Sequence, residues 1–293
     1  MLFTAALSLV LSLGSSLVAA SPVSSWLNTT TYLTRACGTT PSEEFISQAE
    51  AHFAENMVVV DPEARIDVAS IPVYWHVIYK STSLSEGYIP DSQISSSINV
   101  LNADYSPCGI SFYLAGTDRT FNADWFDQAS PDSSYQTAMK NGLREGGANA
   151  LNVYSVGFTS GSGAGLLGYA TFPWSYSGAP EDDGVVILYS SVPGGTATPY
   201  DEGRTLTHEA GHWVGLYHTF QGGCNPPDDY VDDTAPEANP VFGCPASSFS
   251  CPGGAPDPYH NYMDYSDDSC MNNFTPGQCT RLKSQISTYR SVV

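Results

Sequence analysis

The stretch that most constrains this chain is Thr205–His218, which reads TLTHEAGHWVGLYH. On a helix, His208 and His212 lie one turn apart on a single face, so their imidazoles can bind one metal ion. Neutral imidazoles suit Zn²⁺, and Glu209 would lie beside the open coordination position, where a bound water needs a general base. The stretch therefore predicts a helix that carries a metal-dependent hydrolytic site.

A glycine and a third histidine complete the pattern. Gly215 is expected to end the helix, because a glycine readily adopts the left-handed conformation of a sharp turn. The turn would bring back His218 as a third ligand, which gives the metzincin spacing His-Glu-x-x-His-x-x-Gly-x-x-His. Two histidines one turn apart can also be a surface pair or a core pair, but three of the six histidines fall within this stretch. The spacing therefore favours zinc.

A wider resemblance follows from two segments. LTHEAGHWVGLYHTF, a cysteine-rich loop and then NYMDYSDDSC resemble the pappalysin branch of the metzincins, most closely its secreted fungal extracellular metalloproteases. The resemblance extends from about Ile71 to the C-terminus and is most specific over residues 205–279. It implies that Glu209 is the catalytic base and that zinc is bound by His208, His212 and His218.

The resemblance also implies a fold and two further roles. The fold class is α+β, a twisted mixed sheet over the zinc-binding helix, with a disulfide-rich C-terminal subdomain. Met263 would form the Met-turn, a tight turn beneath the metal, and Tyr265 would stabilise the developing oxyanion. The alternatives are a methionine and a tyrosine that merely fill the core.

Apolar and β-branched runs predict the strands of that sheet. They lie at residues 71–79, 110–115, 150–156 and 185–190, and the resemblance adds a short edge strand within residues 161–173. Helices are predicted at residues 42–55, 91–102 and 275–291. The sequence between the second and third strands is interpreted as polar and rich in loops, and His76 as a packed sheet residue.

Composition limits the partners. Thirty acidic residues against ten basic ones give a net charge of −20. Nucleic acids and anionic membranes attract clusters of Lys and Arg, so neither is expected as a partner, and no stable membrane association is expected. The length fits one catalytic domain with a short prosegment.

The N-terminal run predicts export. Residues 1–20 are apolar, carry no charge and end in Val18-Ala19-Ala20, the small-residue pattern of a signal cleavage site. A membrane anchor is the alternative, but Gly14–Ser16 interrupts the run. We therefore expect a signal peptide at residues 1–20, a prosegment at residues 21–70 and the catalytic domain at residues 71–293.

Seven cysteines in an exported chain predict disulfides and one remaining thiol. Spacing alone does not fix the connectivity. The resemblance implies the pairs Cys224–Cys251 and Cys244–Cys270, and a third pair, Cys108–Cys279, is also expected.

The segment Arg35-Ala36-Cys37-Gly38 resembles the latency segment of pappalysin-like zymogens. A thiolate is a good zinc ligand, so Cys37 could occupy the open position and exclude water. The alternative is a bridge from Cys37 to Cys108 or Cys279.

Two weaker signals remain. The acidic run Asp228–Asp233 offers the hard oxygen ligands that Ca²⁺ takes, but its spacing is not that of an EF-hand, and a solvated loop is the alternative. Asn28 and Asn273 begin sequons and are candidate glycosylation sites.

These observations predict a secreted, zinc-dependent endopeptidase of broad specificity, a monomer that hydrolyses extracellular proteins or peptides. One alternative is a secreted binding protein or inhibitor that retains a zinc site. Another is a regulatory protease of narrow specificity.

Overall fold

The computed structural model describes residues 34–59 and 69–292. The predicted signal sequence at residues 1–20 and the sequon at Asn28 lie outside the described residues, as does part of the predicted prosegment. None of the helices described has the length and apolar character needed to span a bilayer.

The framework is a five-stranded mixed sheet. Its strands are β1 (Ala69–Tyr79), β2 (Ile110–Phe121), β3 (Leu151–Val156), β4 (Gly168–Ala170) and β5 (Val185–Leu188). They follow the order β2-β1-β3-β5-β4, and all neighbours are parallel except β4 and β5, which are antiparallel. The predicted fold class is confirmed, and β4 lies at the edge where a short edge strand was expected.

Six α-helices accompany the sheet within the described residues. They are α1 (Glu43–Asn56), α2 (Asp91–Tyr105), α3 (Ala123–Gln128), α4 (Ser134–Leu143), α5 (Arg204–Trp213) and α6 (Pro276–Tyr289). The predicted helices at residues 42–55, 91–102 and 275–291 correspond to α1, α2 and α6. The last of these begins with a capping box, in which Thr275 and Gln278 satisfy each other's backbone N–H groups.

The prediction for the region between the second and third strands was wrong. Strand β2 continues to Phe121, and helices α3 and α4 follow it. Each helix is started by a polar side chain, because Asn122 accepts a hydrogen bond from the Trp125 N–H and Ser133 accepts one from the Gln136 N–H. These caps were the signal that sequence reasoning overlooked.

Alternation along the strands separates two apolar clusters, one on each face of the sheet. In β5, Val185 and Ile187 enter the first cluster and Val186 enters the second. The first cluster contains apolar residues of α2, α5 and α6, and the second contains Phe126 of α3 and Met139 of α4. Helices α2, α5 and α6 therefore pack on one face of the sheet, and α3 and α4 pack on the other.

The disulfides join the pairs that were expected. The structure contains the bonds Cys108–Cys279, Cys224–Cys251 and Cys244–Cys270. Cys37 is the free and buried cysteine of the described residues, so it forms no bridge to Cys108 or Cys279.

Candidate metal centre

Helix α5 is buried along its length after Arg204, and its side chains are held from outside the helix. Asp104 of α2 accepts hydrogen bonds from the Thr207 hydroxyl at 2.6 Å and from the Arg204 guanidinium at 2.9 Å. The Tyr105 hydroxyl donates to the Thr207 carbonyl at 2.9 Å. These contacts attach α5 to α2 and set the rotation of the helix about its axis.

The glycine turn after α5 has the expected conformation. Gly215 has a φ of 103°, and its N–H donates to the His212 carbonyl at 2.9 Å. A Cβ at this position would also lie 2.6 Å from the Gln285 side chain. Both the backbone conformation and the packing against α6 therefore require glycine.

The three predicted histidines converge on one point. The Nε2 atoms of His212 and His218 are 3.1 Å apart, and those of His218 and His208 are 3.2 Å apart. Ligand nitrogens about 2.0–2.1 Å from a tetrahedral Zn²⁺ are separated by roughly 3.3 Å. The spacing of the three imidazoles therefore fits a zinc ion.

Backbone carbonyls fix the orientation of two of the imidazoles. The Nδ1 atom of His208 is 2.7 Å from the Tyr262 carbonyl, and the Nδ1 atom of His212 is 2.8 Å from the Leu216 carbonyl. Protonated Nδ1 atoms leave the Nε2 lone pairs free to bind a metal. Burial lowers the pKa of His212 to about 4 and lowers the pKa values of His208 and His218 well below the usual range. Neutral imidazoles are the form that metal binding requires.

Cys37 completes the cluster. Its Sγ atom lies 3.6 Å from His212 Nε2 and 3.4 Å from Glu209 Oε2. The sulfur and the three histidines offer ligand atoms that all lie within 4.8 Å of one another, the one such group found among the described residues. Burial, followed by the charge of Glu209, raises the pKa of the Cys37 thiol well above its usual value. A coordinated metal ion reverses that effect and favours the thiolate.

The segment that carries Cys37 pairs with the edge of the sheet. Cys37 forms a parallel bridge with Gly168 of β4, where the Gly38 N–H donates to the Gly168 carbonyl at 2.8 Å. Thr39 continues the contact, because its hydroxyl accepts from the Ala170 N–H at 2.8 Å. The segment therefore occupies the outer edge of β4, where an extended substrate could pair as a further strand.

A buried ion pair holds the same segment two residues earlier. Arg35 donates to the Asp268 carboxylate at 2.5 Å and to the Ser266 carbonyl at 3.3 Å, and both side chains of the pair are buried. The second Asp268 oxygen accepts from the backbone N–H groups of Glu202 and Arg204. No sequence pattern pointed to Asp268 as the partner of Arg35, because 233 residues separate them.

Glu209 faces the edge strand and the Cys37 segment. A Cβ at Gly168 would lie 2.7 Å from Glu209 Cγ, so the glycine leaves room for this side chain. Thr39 Oγ1 lies 3.5 Å from Glu209 Oε2. Burial raises the pKa of Glu209 to about 8. A carboxyl group with that pKa can accept and release protons near neutral pH.

Met263 and Tyr265 lie beside the histidines. Met263 is fully buried, and a Cβ at Gly211 would lie 2.3 Å from its sulfur. The ring of Tyr265 stands perpendicular to the ring of His218, with centroids 5.1 Å apart. Burial, followed by the charges of Cys37 and Glu209, raises the pKa of the Tyr265 hydroxyl.

The acidic run divides into residues with different surroundings. Asp233 accepts hydrogen bonds from the Thr275 hydroxyl and the Gly277 N–H at the start of α6. Asp229 is buried, and one of its carboxylate oxygens lacks a hydrogen-bond partner. Glu237 and Asp264, which sequence reasoning did not single out, are also buried with one unpartnered oxygen each.

His260 and Asn273 lie outside the cluster of Cys37 and the three histidines. His260 is exposed, and its Nδ1 atom is 2.7 Å from the Cys270 carbonyl. Asn273, which begins the second sequon, is exposed. His76 lies in the sheet, as expected, with Nε2 2.9 Å from the Asn152 side chain.

A mixed sheet with an antiparallel edge strand, placed over a helix with this histidine spacing, defines the metzincin class of zinc proteases. A family model described as pregnancy-associated plasma protein-A, Peptidase M43, matches residues 148–287. Extracellular metalloprotease 1 of Coccidioides posadasii is 47% identical over 262 residues, covering 88% of this chain and 91% of that protein. An extracellular metalloprotease of Pyricularia oryzae is 46% identical over 259 residues, covering 86% and 88%.

Solved structures also match this chain. A promirolysin mutant from Tannerella forsythia matches with a TM-score of 0.71 and 29% identity, covering 87% of this chain and 95% of that one. Mature mirolysin in complex with a cleaved peptide matches with a TM-score of 0.61 and 31% identity, covering 75% and 92%. The chain belongs to the Peptidase M43 family. It is a secreted, zinc-dependent metalloendopeptidase.

Proposed function

We propose that His208, His212 and His218 bind the catalytic Zn²⁺ and that Glu209 is the general base for hydrolysis of a peptide bond. The observation that carries this proposal is the convergence of three Nε2 atoms at 3.1–3.2 Å beside a buried carboxylate. Zn²⁺ bound there would supply a Lewis acid and an acidified water. The carboxylate and the edge strand are then the parts of the chain that act on the substrate.

Glu209 would take the proton of the attacking water and pass it to the leaving amine. Its raised pKa suits both steps, because a base with a pKa near the working pH can accept the proton and then donate it. Strand β4 would align an extended peptide through backbone hydrogen bonds, since its outer edge receives the Cys37 segment in the same way. Gly168 keeps the space between the edge strand and Glu209 open.

Two further residues beside the histidines are proposed to take part. Met263 would form the Met-turn, which is supported by its contact with Gly211, between the first two histidines on α5. Tyr265 would donate a hydrogen bond to the developing oxyanion, and its raised pKa would keep the hydroxyl protonated for that purpose.

We also propose a signal peptide at residues 1–20, a prosegment at residues 21–70 and a catalytic domain at residues 71–293. In this proposal, Cys37 makes the prosegment inhibitory. The position of Cys37 Sγ supports this role, because 3.6 Å is about the separation expected between a sulfur and a nitrogen bound to one tetrahedral Zn²⁺. The thiolate would occupy the position that the water needs. The Arg35–Asp268 pair and the bridge to Gly168 hold it there.

Calcium is a further proposal for the acidic region after His218. Its support is that Asp229, Glu237 and Asp264 are buried and each has an oxygen without a partner. Buried, unpaired carboxylates are costly unless a cation neutralises them, and Ca²⁺ prefers such oxygen ligands. Broad specificity and a monomeric state stay predictions, which cleavage of a peptide library and size-exclusion chromatography would check.

The experiment that tests the function combines N-terminal sequencing of the secreted protein with a casein assay on the same sample. We expect an N-terminus near residue 70 and casein cleavage that 1,10-phenanthroline abolishes. A protein that starts near Ser21 and is fully active without a lag would contradict inhibition by Cys37. Bound zinc without cleavage at either N-terminus would contradict the endopeptidase and favour a binding protein.

A further inference from the structure

Helix α1 lies outside the metal cluster and packs on the C-terminal part of the chain. Its residues Ile46, Ala49 and Phe53 are buried. Beyond the helix, the Val58 N–H donates to the Thr288 hydroxyl of α6 at 3.0 Å. The segment that carries Cys37 therefore has a second attachment, separate from the site.

An ion pair lies at the centre of this second attachment. The two Glu50 oxygens accept from the two terminal nitrogens of Arg281 at 2.5 and 3.1 Å. The Tyr217 hydroxyl donates to the same carboxylate at 2.9 Å. Both charged side chains are largely buried, with 8% of Arg281 and 15% of Glu50 exposed. A paired and desolvated bond of this kind is among the stronger polar contacts in proteins.

The chain positions Arg281 independently of α1. Its Nε atom donates to the Gly215 carbonyl at 3.0 Å, and its guanidinium lies over the rings of Tyr217 and Tyr230 at 5.0 and 5.9 Å. None of these partners belongs to α1. The guanidinium is thus already oriented to bind a carboxylate. Less side-chain conformational entropy is therefore lost when a carboxylate binds.

Tyr289 adds a contact to this surface, because its hydroxyl lies 3.0 Å from Nδ1 of His52 in α1. We propose that the surface formed by Tyr217, Arg281 and Tyr289, the α6 docking face, binds residues 42–59 after the chain is cut within residues 60–68, so that the cut prosegment stays on the enzyme and inhibits it. The proposal rests on the proposed function, because it assumes that the prosegment is removed. Activation then requires dissociation as well as cleavage.

Two attachments on one segment explain why dissociation would be slow. Residues 34–40 bind the edge strand and the metal cluster, while residues 43–56 bind the α6 docking face. A cut within residues 60–68 leaves these two parts joined to each other. When one part detaches, the other holds it near its own site, which raises the overall affinity above that of either part.

The test uses the activated enzyme with fluorescent peptides spanning residues 34–59, read by anisotropy, while mass spectrometry checks that the peptides stay intact. A Cys37→Ser peptide removes the bond to the metal and should still bind. In that peptide, Glu50→Gln should weaken binding by about tenfold or more, because a charged acceptor facing Arg281 is lost. Glu55→Gln, the same change at an exposed position of α1, should alter binding less than about twofold.

The affinities of the peptide variants either support the proposal or overturn it. Equal affinities for the Glu50→Gln and Glu55→Gln peptides would overturn it, as would loss of all binding in the Cys37→Ser peptide. Selective weakening by Glu50→Gln supports it, together with weaker inhibition of casein cleavage by that variant. Anisotropy measures binding and needs no turnover. If the protein is inactive but still binds the Glu50→Gln peptide more weakly than the Glu55→Gln peptide, the proposed function is overturned and the α6 docking face is supported.

Discussion

Regular secondary structure borders the metal cluster on one side and an irregular segment borders it on the other. Helix α5 contributes two of the histidines and the carboxylate, and β4 lies next to them. The remaining histidine, Met263 and Tyr265 come from residues 214–275, all of which are described. That segment contains one 3-10 turn and one isolated bridge as its regular structure.

The two sides satisfy their backbone groups by different means. In the sheet, N–H groups donate to carbonyls of neighbouring strands, and an apolar cluster fills the space behind. In the irregular segment, turns and side chains share this role. The Tyr262 N–H donates to the Asn273 carbonyl, while Asp257 accepts from the Ser250 N–H and Asp264 accepts from the Val241 N–H. Carboxylates and disulfides help to stabilise this segment, whereas hydrogen bonds between neighbouring strands stabilise the sheet.

The largest expected effect separates the contributions of the two sides to catalysis. Glu209→Gln should keep the zinc and the fold and lower kcat by at least about a hundredfold, because only the base is lost. His218→Ala removes the ligand from the irregular side and should lose both zinc and activity. Metal content, kcat and thermal unfolding of both variants check this. Near-normal turnover of Glu209→Gln would exclude this residue as the base.

Removing disulfides should affect the two sides unequally. The Cys224–Cys251 bond lies wholly in the irregular segment and closes a loop of 27 residues, so its replacement by two serines should cost about 3.5 kcal/mol by loop entropy. The bond Cys108–Cys279 links the turn that follows α2 to α6 across 171 residues, and its loss should cost about 5 kcal/mol.

Hydrogen exchange would locate these effects. Loss of Cys224–Cys251 should accelerate exchange in the irregular segment and leave the sheet protected. Loss of Cys108–Cys279 should accelerate exchange in both regions. Equal acceleration of the sheet in the two variants would contradict the division into two sides.

A smaller effect is expected at Gly211, where α5 contacts Met263 of the irregular segment. Gly211→Ala would place a Cβ 2.3 Å from the Met263 sulfur and should destabilise the protein by about 1–3 kcal/mol. The matched control is Gly142→Ala in α4, where the nearest atom would be 3.8 Å away. That change should stabilise the protein by about 0.5–1 kcal/mol, because alanine favours a helix. Urea unfolding measures both, and equal effects would show that the contact is loose.

A more gradual effect concerns pH. Burial raises the pKa of Glu237 to about 8 and that of Asp264 to about 7. Unfolded carboxyl groups titrate near about 4, so between about pH 4 and pH 8 the folded state binds more protons than the unfolded state. The free energy of unfolding should therefore fall as pH rises, by at most about 1.4 kcal/mol per pH unit for each group.

Added Ca²⁺ should reverse that loss at high pH if the carboxylates bind it. Urea unfolding near about pH 5 and pH 8, with EGTA or with CaCl₂, measures the effect. Glu237→Gln serves as the control, because it removes one titrating group and should flatten the pH dependence. An unchanged slope in that variant would exclude Glu237 as its source.

The sequence predicted the regular side well. Helix α5, its glycine stop and four of the five strands follow from motif spacing, periodicity and turn chemistry, which are local properties, whereas β4 was expected from the family resemblance. Helices α3 and α4 were missed, because each is short and buries few apolar residues, so the helical period was weak. The three histidines were found because all of them lie within one short motif.

The rest of the site depends on contacts between distant residues. Arg35 and Asp268 are 233 residues apart, and Glu50 and Arg281 are 231 apart. No local pattern marks such partners, and a buried charge looks like a surface charge in the sequence. Glu237 and Asp264 were overlooked for the same reason, since only folding buries them.

The contact between Cys37 and the site has a consequence for synthesis of the chain. Cys37 lies 172 residues before Glu209 and 175 before His212. At about 5–20 residues per second, ribosomes would complete it roughly 10–30 s earlier. The thiol is therefore made before the imidazoles that surround it. Under the proposed inhibition, every nascent chain would carry its own blocking group by the time the histidines emerge.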